Sequence, residues 1–535
     1  MKNDLTVDKN TLETVVISRE EYETLKREIE AQAIKIAELE QTIRFLMENL
    51  RLTQQRQFCA SSEKSTSDQL SFFNEAEATA DDTVVEPELT VVEKHYRKKA
   101  RVSTEKLPLD LPVEVVEHRL PEEEQVCPEC GEPLHEMGRE TRRELKLIPA
   151  QAIIVEHVRY TYACRNCEQQ AESASIVKAS IPEPVIKGSF ASPEAVAHLA
   201  TQKFVSGVPL YRQEQDFFRN GIELSRQTMS NWIIRCTEDW LAPLYNVLHE
   251  MLVGRQVLHA DETTLQVLQE PGKPAQSDSY MWLYRTGGDA PMPIVLYEYR
   301  PDRKARNPAE FLKGFAGFLH TDGYAGYHAL PDQIVIVGCW AHARRKWEEA
   351  LKAIPSKEQI GSAALHGRHF CDRLFTIERD LAACAPQERY QKRQELARPV
   401  LDAFLAWLHA QNPAPKSAFG KAVQYTLDQW KYLENYLLDG RLEVSNNRAE
   451  RSIKPFVIDR KNFLFMNTPR GATASAILFS IIETAKENGL NPFAYLTYIF
   501  RYAPNLDIPN HPEALTQLLP NSVPDSCKAG VRISG

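Results

Sequence analysis

The sequence predicts an α/β protein whose core holds two acid-bearing strands and one acid-bearing helix. Three observations predict it. His259-Ala260-Asp261-Glu262-Thr263 and His320-Thr321-Asp322-Gly323-Tyr324 each place an aspartate at the end of an apolar, β-prone run. Asn446-Asn447-Arg448-Ala449-Glu450-Arg451 places a glutamate in a basic, helix-compatible segment. Two strand-borne Asp and one helix-borne Glu can converge on divalent cations for phosphoryl transfer.

At 535 residues the chain exceeds one compact core, so two to four domains are expected. Hydrophobic content of 43% and charge of 26% are ordinary for a globular protein. No stretch reaches the roughly 18–20 apolar residues of a spanning helix, and Met1-Lys2-Asn3-Asp4 opens no signal peptide. A cytoplasmic location without a membrane partner follows as an expectation. The ten cysteines do not form a secreted disulfide pattern, because four sit in Cys-x-x-Cys pairs and the rest are scattered. A net charge of −9 argues mildly against nucleic acid, but binding depends on local patches. Arg441 to Arg470 holds seven Lys/Arg against three acids, a local +4.

Residues 18–56 read as a coiled coil. Ile29, Ile36, Ile43 and Leu50 repeat at one core position, and Leu25, Gln32, Leu39 and Leu46 at the other. Ile at a with Leu at d favours a two-stranded parallel coil, with Gln32 able to fix register; the alternative is a helix packed on its own chain. Residues 57–112 are rich in Ser, Thr, Glu and Ala and read as a linker. It is interrupted by His95-Tyr96-Arg97-Lys98-Lys99-Ala100-Arg101, which either grips phosphates or is simply solvated.

Residues 113–185 hold Cys127-Pro128-Glu129-Cys130 and Cys164-Arg165-Asn166-Cys167. Two such knuckles complete a tetrahedral zinc site, and four Cys leave no open position, so a structural role is expected. The 33 residues between them exceed the usual spacing. The runs Leu145–Ile148, Ala152–Val155 and Val158–Tyr162 look like a β-hairpin that returns the second knuckle to the first. Unligated thiols or a redox pair are the alternatives.

Residues 190–250 are helical. Ser192-Pro193 starts one helix, Leu210, Phe217 and Phe218 supply apolar positions, and Gly221 can turn the chain. Ser225 caps a second helix, Arg226–Ile234, with Met229, Trp232 and Ile233 inward. Arg226, Gln227 and Asn231 then point outward, able to read base edges as in a helix-turn-helix, although any αα-hairpin looks alike.

The core begins at residue 255. Gln256–Asp261 reads as a strand ending on an acid, followed by strands Tyr280–Arg285 and Pro293–Tyr299 in hairpin succession. A helix at Pro308–Leu312 leads to the strand carrying Asp322; the strand Ile334–Cys339 precedes a basic helix from about His342. This order is the outline of a ribonuclease-H-like fold, in which the first and fourth strands are neighbours and Asp261 lies beside Asp322. Paired carboxylates repel unless cations neutralise them. An Asp at a strand end also caps turns, which is the structural alternative. Glu262 points to the opposite face from Asp261. Glu443 competes with Glu450 only if its helix starts early, and Gly440 with the Asn pair argues against that.

His259–Thr263, His320–Tyr324, Gly338-Cys339-Trp340-Ala341-His342-Ala343-Arg344-Arg345 and Asn446–Pro455 together resemble the core motifs of insertion-sequence-66-type transposases, a DDE family. The zipper, the knuckle pair and the tail around His511-Pro512-Glu513-Ala514-Leu515 match that family's layout. The resemblance implies a bacterial DNA transposase acting at the nucleoid, with Asp261, Asp322 and Glu450 as catalytic ligands of Mg²⁺ or Mn²⁺ and Cys127, Cys130, Cys164 and Cys167 holding structural Zn²⁺. Cys339 and His342 match a motif that would support the site. Ser445 departs from the Asp common there. The implied partners are double-stranded DNA at element ends and target, a second copy in a homodimer or higher oligomer, and small accessory proteins.

In this reading residues 255–346 are the first part of the core, 347–440 a helical insertion, 441–505 the second part and 506–535 a tail. The insertion explains why 61 residues separate the two Asp but 128 separate Asp322 from Glu450. Trp430, Leu433 and Leu437 form a helical stripe in it that reads as core. Lys454, one helical turn past Glu450, can hold a phosphate, and Arg460 and Lys461 are further DNA-contact candidates. The rival readings are a non-catalytic zinc and helix-turn-helix regulator, or a structure-specific nuclease on the same fold.

Overall fold

The computed structural model describes residues 18–58, 152–163 and 176–530. The knuckle cysteines Cys127, Cys130, Cys164 and Cys167, the linker beyond residue 58 and the basic cluster 95–101 lie outside the described residues. The chain divides into two compact units, Ala60–Ser180 and the remainder.

The larger unit opens with helix α1, Arg19–Phe58. Its heptad residues Leu25, Ile29, Ile36, Leu39, Ile43, Leu46 and Leu50 are all exposed, so within this chain the stripe buries nothing. Its C-terminal half is attached to the unit by Arg51, which donates to Ala353 O, and by Glu48, whose carboxylate accepts the Ala418 N–H at 2.7 Å.

In the smaller unit, β1 (Thr161–Ala163) pairs antiparallel with β2 (Ile176–Lys178), Thr161 opposite Lys178. Of the expected hairpin, Leu145–Ile148 lies outside the described residues, residues 152–160 form no strand, and Thr161 and Tyr162 pair instead with Lys178 and Val177. Ile153 and Ile154 are 81% and 98% exposed, so among the described residues nothing covers them.

Four helices follow in the larger unit: α2 (Pro193–Phe204), α3 (Leu210–Arg219), α4 (Arg226–Cys236) and α5 (Ala242–Val253). Ser192 and Ser225 cap α2 and α4 through their hydroxyls, and Gly221 turns the chain with φ +77. Met229, Trp232 and Ile233 are buried as the periodicity requires. Phe218 is not: it is 71% exposed, because α3 is one-sided and Leu210 and Phe217 occupy its inner face.

The sheet comprises β3 (Val257–Gln266), β4 (Asp278–Thr286), β5 (Val295–Arg300), β6 (Gly317–His320) and β7 (Ile334–Val337), in the order β5-β4-β3-β6-β7. The first three strands are antiparallel neighbours, while β6 pairs parallel to both β3 and β7. Strand β3 does not end at Asp261. It runs five residues further, because Thr263 and Thr264 suit a strand and pair with Met281 and Tyr280 of β4. Helix α6 (Arg306–Phe311) bridges β5 to β6.

Both sheet edges are closed by side chains from outside the sheet, which removes the hazard of unpaired strand groups. On β5, the N–H groups of Val295 and Tyr297 donate to Thr484 Oγ1 and Ser480 Oγ at 3.0 and 2.7 Å. On β7, Asn435 donates to Ile336 O at 2.8 Å.

Helix α7 (Trp340–Lys352) starts two residues before the expected His342, and the expected insertion boundary at 347 falls inside it. The insertion proper is α8 (Ala363–Asp380), α9 (Pro386–Leu396), α10 (Arg398–His409) and α11 (Ala418–Leu433). Trp340, Trp347, Phe404, Leu433 and Leu437 bury themselves in a second core there, with Trp430 packed against it. Burying one Phe-sized side chain contributes roughly 1.5–3 kcal/mol, against about 0–1 for an exposed ion pair. Apolar packing therefore docks the insertion.

The chain then forms α12 (Asn447–Phe463), α13 (Pro469–Glu487) and α14 (Pro492–Tyr502). Helix α13 covers β5, and the tail's Leu515, Leu518 and Cys527 join the main core. Among the described residues no helix is long and apolar enough to cross a membrane.

Candidate active site

The parallel pairing of β3 with β6 puts His259 opposite His320. Their rings stack at 4.3 Å with an interplanar angle of 9°. Burial holds the His259 ring at about 3, and it holds His320 well below its usual value with help from His259, so both are neutral near pH 7. Side chains alternate along a strand, so Asp261, two residues on in β3, shares the face of His259. Asp322 stands two residues on from His320, just past the end of β6.

Asp261 Oδ1 accepts the Glu262 N–H at 2.9 Å. Asp322 lies two residues past β6, where its Oδ1 accepts the Tyr324 N–H at 3.0 Å across a turn. Gly323 makes that turn with φ +93, and a β-carbon there would come within 3.0 Å of Gln429 Oε1. The Tyr425 hydroxyl donates to Asp322 O at 3.2 Å, so the insertion reaches the site directly.

Glu450 stands in the first turn of α12, which packs on β3. Asn446 fixes that helix. Its Oδ1 is 3.0 Å from His259 Nδ1, its Nδ2 donates to Ala260 O at 2.8 Å, and its N–H donates to Cys339 Sγ at 3.2 Å. Since the amide oxygen accepts, His259 carries its proton on Nδ1. The Glu443 N–H donates to His320 Nε2 at 3.3 Å, which leaves the proton of that ring on Nδ1 as well.

The acids share one field. Burial pushes the Asp261 carboxyl well above the usual range, and Glu262, Asp322 and Glu450 push it further. Glu262 is also raised, by burial and by Asp322, but its charge is answered. Arg303 Nε donates to its Oε1 at 2.8 Å and the Tyr327 hydroxyl to its Oε2 at 2.6 Å. Glu450 is answered more loosely: Arg345 pairs with its Oε2 at 3.8 Å, while its Oε1 is buried without a hydrogen-bond partner, with His342 Nδ1 at 3.6 Å. Glu443 precedes α12 and pairs with Arg448 at 2.6 Å.

The structure thus brings Asp261, Asp322, Glu450, Cys339 and His342 into one neighbourhood. Lys454 follows half-buried on α12 and Lys461 is exposed. Arg460 is engaged with β3, donating to Thr263 Oγ1 at 3.3 Å and to Thr264 O. Arg226, Gln227 and Asn231 are exposed on α4, and Asn231 lines a cleft of about 400 Å³ with Lys187, Thr228, Arg235 and Arg470. Sequence reasoning gave no role to His259, His320, Asn446, Arg303 or Tyr327. A histidine two residues before each Asp was the available signal for the first two.

The chain matches the profile of the Transposase IS66 family over residues 188–474. Residues 124–168 match the zinc-finger binding domain of transposase IS66, 480–520 the IS66 C-terminal element and 45–116 the Transposase C of IS166 homeodomain. The uncharacterized protein y4jD of Sinorhizobium fredii is 33% identical over 389 residues, covering 70% of this chain and 74% of that protein. Protein y4hP of the same organism is 29% identical over 418 residues, covering 74% and 72%. A chain of the Drosophila P element transposase strand transfer complex aligns at 12% identity with a TM-score of 0.32, covering 55% of this chain and 92% of that one, a likeness too slight to bear on the fold. With more than half its length in one family profile and further segments in that family's accessory profiles, the chain belongs to the IS66 family of transposases and is a DNA transposase of the DDE type.

Proposed function

We propose that this transposase cuts and joins DNA at a ribonuclease-H-like core, with Asp261, Asp322 and Glu450 as the ligands of a divalent cation, Mg²⁺ or Mn²⁺. The observation that carries the reading is the field around Asp261, a buried carboxyl crowded by Glu262, Asp322 and Glu450. All-oxygen donors of this kind suit hard cations. When bound, such a cation activates the attacking oxygen and neutralises the leaving one in an in-line displacement.

The chain's own residues do the positioning. The neutral His259–His320 stack keeps the two aspartates level, and Asn446 clamps α12 so that Glu450 faces them. Arg345, half-exposed beside Glu450, can meet a phosphodiester oxygen. Water would open the phosphodiester at an element end, and the freed 3′-hydroxyl would attack target DNA at the same site. In addition to this core, residues 113–185 would serve as a zinc module with Cys127, Cys130, Cys164 and Cys167 as its ligands, and residues 190–250 would grip DNA through Arg226, Gln227 and Asn231. The exposed stripe of α1 supports pairing of two protomers, with accessory proteins as further partners. The protein acts in the bacterial cytoplasm, at the nucleoid.

The test is Asp261→Asn in the full chain. It is expected to bind element ends as the unmodified protein does and to lose nicking; undiminished nicking overturns the triad. A regulator without catalysis would show no nicking in the unmodified protein. Joining of pre-cleaved ends to target with Mg²⁺ or Mn²⁺ separates a transposase from a structure-specific nuclease, which would cut but not join.

A further inference from the structure

Beside the two aspartates lies a second, chemically different set of donors. Cys339 is the N-cap of α7, His342 lies one turn along on the same helix, and Glu450 faces them from α12. A sulfur, an imidazole nitrogen and a carboxylate oxygen lie within 4.8 Å of one another. The Asn446 N–H donates to the sulfur at 3.2 Å, and the N–H groups of Ala341 and His342 also bear on it. Burial outweighs these N–H groups and pushes the thiol up to about 12, so what points to a cation is the geometry of the three donors.

A purely structural role for Cys339 accounts for the contact with Asn446 but leaves two polar atoms unexplained. His342 Nδ1 and Glu450 Oε1 are both buried and both lack a hydrogen-bond partner. Their separation of 3.6 Å is too long for a hydrogen bond between them. Two orphaned donor atoms facing a sulfur make a gap suited to a cation.

We propose that Cys339, His342 and Glu450 bind a borderline transition-metal ion of the Zn²⁺ class, distinct from the hard cation of the two aspartates. Thiolate, imidazole and carboxylate together select Zn²⁺ or Co²⁺ over Mg²⁺. Binding displaces the thiol proton to solvent. Three protein ligands leave a fourth position for water. The ion ties α7 to the first turn of α12 and so fixes Glu450, a consequence that rests on Glu450 being the third acid of the catalytic set.

The experiment counts Co²⁺ bound to the full chain and follows its thiolate-to-metal absorption, compared between unmodified protein and variants so that the Cys-x-x-Cys contribution cancels. Cys339→Ser, His342→Ala and Glu450→Gln are each expected to weaken one site by roughly tenfold or more, while Asp261→Asn leaves it intact. Cys339→Asp should keep the bound equivalent and lose its share of the thiolate band. Equal Co²⁺ equivalents and an unchanged spectrum in Cys339→Ser overturn the proposal. If Cys339→Ser does not fold, unchanged equivalents in both His342→Ala and Glu450→Gln overturn it instead. Because the readout is metal binding, retained nicking by Asp261→Asn would remove the catalytic reading alone.

Discussion

His259 and His320 stack face to face at 4.3 Å, on neighbouring parallel strands and two residues before Asp261 and Asp322. Two imidazolium rings at that distance would repel. Burial keeps both neutral, so the stack is a packing contact that sets the height of the acids along the sheet. Truncating His259 to Ala removes one ring from a fully buried pair and leaves Asn446 Oδ1 without its His259 partner. A loss of about 2–4 kcal/mol in denaturant unfolding is expected, by analogy with large-to-small core changes. Nicking should fall further than the fraction unfolded accounts for; nicking that tracks folding alone removes the positioning role.

Asn446 ties β3, Cys339 and α12 together through three hydrogen bonds. Replacing it with Ala strands the Nδ1–H of His259 and the carbonyl of Ala260 in a dry interior. The cost should be about 1–3 kcal/mol, because a buried group left unmade loses its full desolvation energy. Asn446→Asp keeps an acceptor for His259 but brings a fourth carboxyl toward Glu450. It should therefore impair nicking more than it impairs stability, as measured by unfolding and end-nicking on the same preparation.

Arg393 is fully buried in the insertion and makes five hydrogen bonds. It forks onto Glu378 at 2.8 and 2.6 Å and donates to the carbonyls of Tyr436, Asp439 and Leu442. Those three carbonyls lie on the return path to α12, so this one side chain fastens the insertion to the segment that delivers Glu450. Arg393→Ala leaves Glu378 nearly buried and unpaired, and a loss of about 3–5 kcal/mol is expected. Arg393→Lys should recover little, since an ammonium cannot reproduce the fork. Hydrogen exchange in α9 and at residues 434–442 would read the local release; protection unchanged there counts against the fastening role.

What the sequence made legible was whatever local patterning decides. The strand order, the caps at Ser192 and Ser225 and the buried face of α4 all follow from periodicity and hydroxyl placement. The adjacency of Asp261 and Asp322 followed from strand order, because parallel pairing of the first and fourth strands is a property of topology. Strand β3 is longer than its apolar run because its second half, Glu262–Gln266, is apolar only at Leu265 and gains strand character from pairing with β4. The clamp made by Asn446 was invisible for a related reason: its partners His259 and Ala260 lie 187 and 186 positions away. The pairing across residues 164–175 was missed because Ile153 and Ile154 look like a strand only if something covers them.

Helix α4 presents Gln227 and Asn231 to solvent one turn apart, with a hydrogen bond of 3.3 Å between them. Side chains so placed are free to exchange that bond for base edges. Asn231→Ala should weaken binding to element ends by about 1–3 kcal/mol while leaving binding to unrelated duplex unchanged. Arg470, salt-bridged to Glu238 at 2.6 Å on the rim of the same cleft, should behave differently. Its loss is expected to weaken all duplexes alike and to flatten the salt dependence. Competition titrations at two salt concentrations distinguish the two patterns, and an equal loss on both duplexes for Asn231→Ala rules out base reading by that residue.

Asp459, on the buried face of α12, gives a pH test independent of the catalytic site. Burial raises its carboxyl from 3.8 to about 6; Lys486 lowers it and the neighbouring Glu483 raises it. An acid whose folded value is raised is easier to protonate in the native protein than in the unfolded chain. Its stabilising contribution is therefore complete below about pH 3.8 and is lost as pH rises through about 6. Asp459→Asn cannot ionise and so never incurs that loss. The variant should match the unmodified protein near pH 4 and exceed it above pH 6, by about 2 kcal/mol at 1.36 kcal/mol per unit with allowance for partial solvent access. Urea unfolding at pH 4, 5, 6 and 7.5 gives the curve. A variant less stable than the unmodified protein at pH 7.5 would mean that the carboxylate is ionised and engaged at that position, with Lys486 outweighing burial, the opposite of the direction expected.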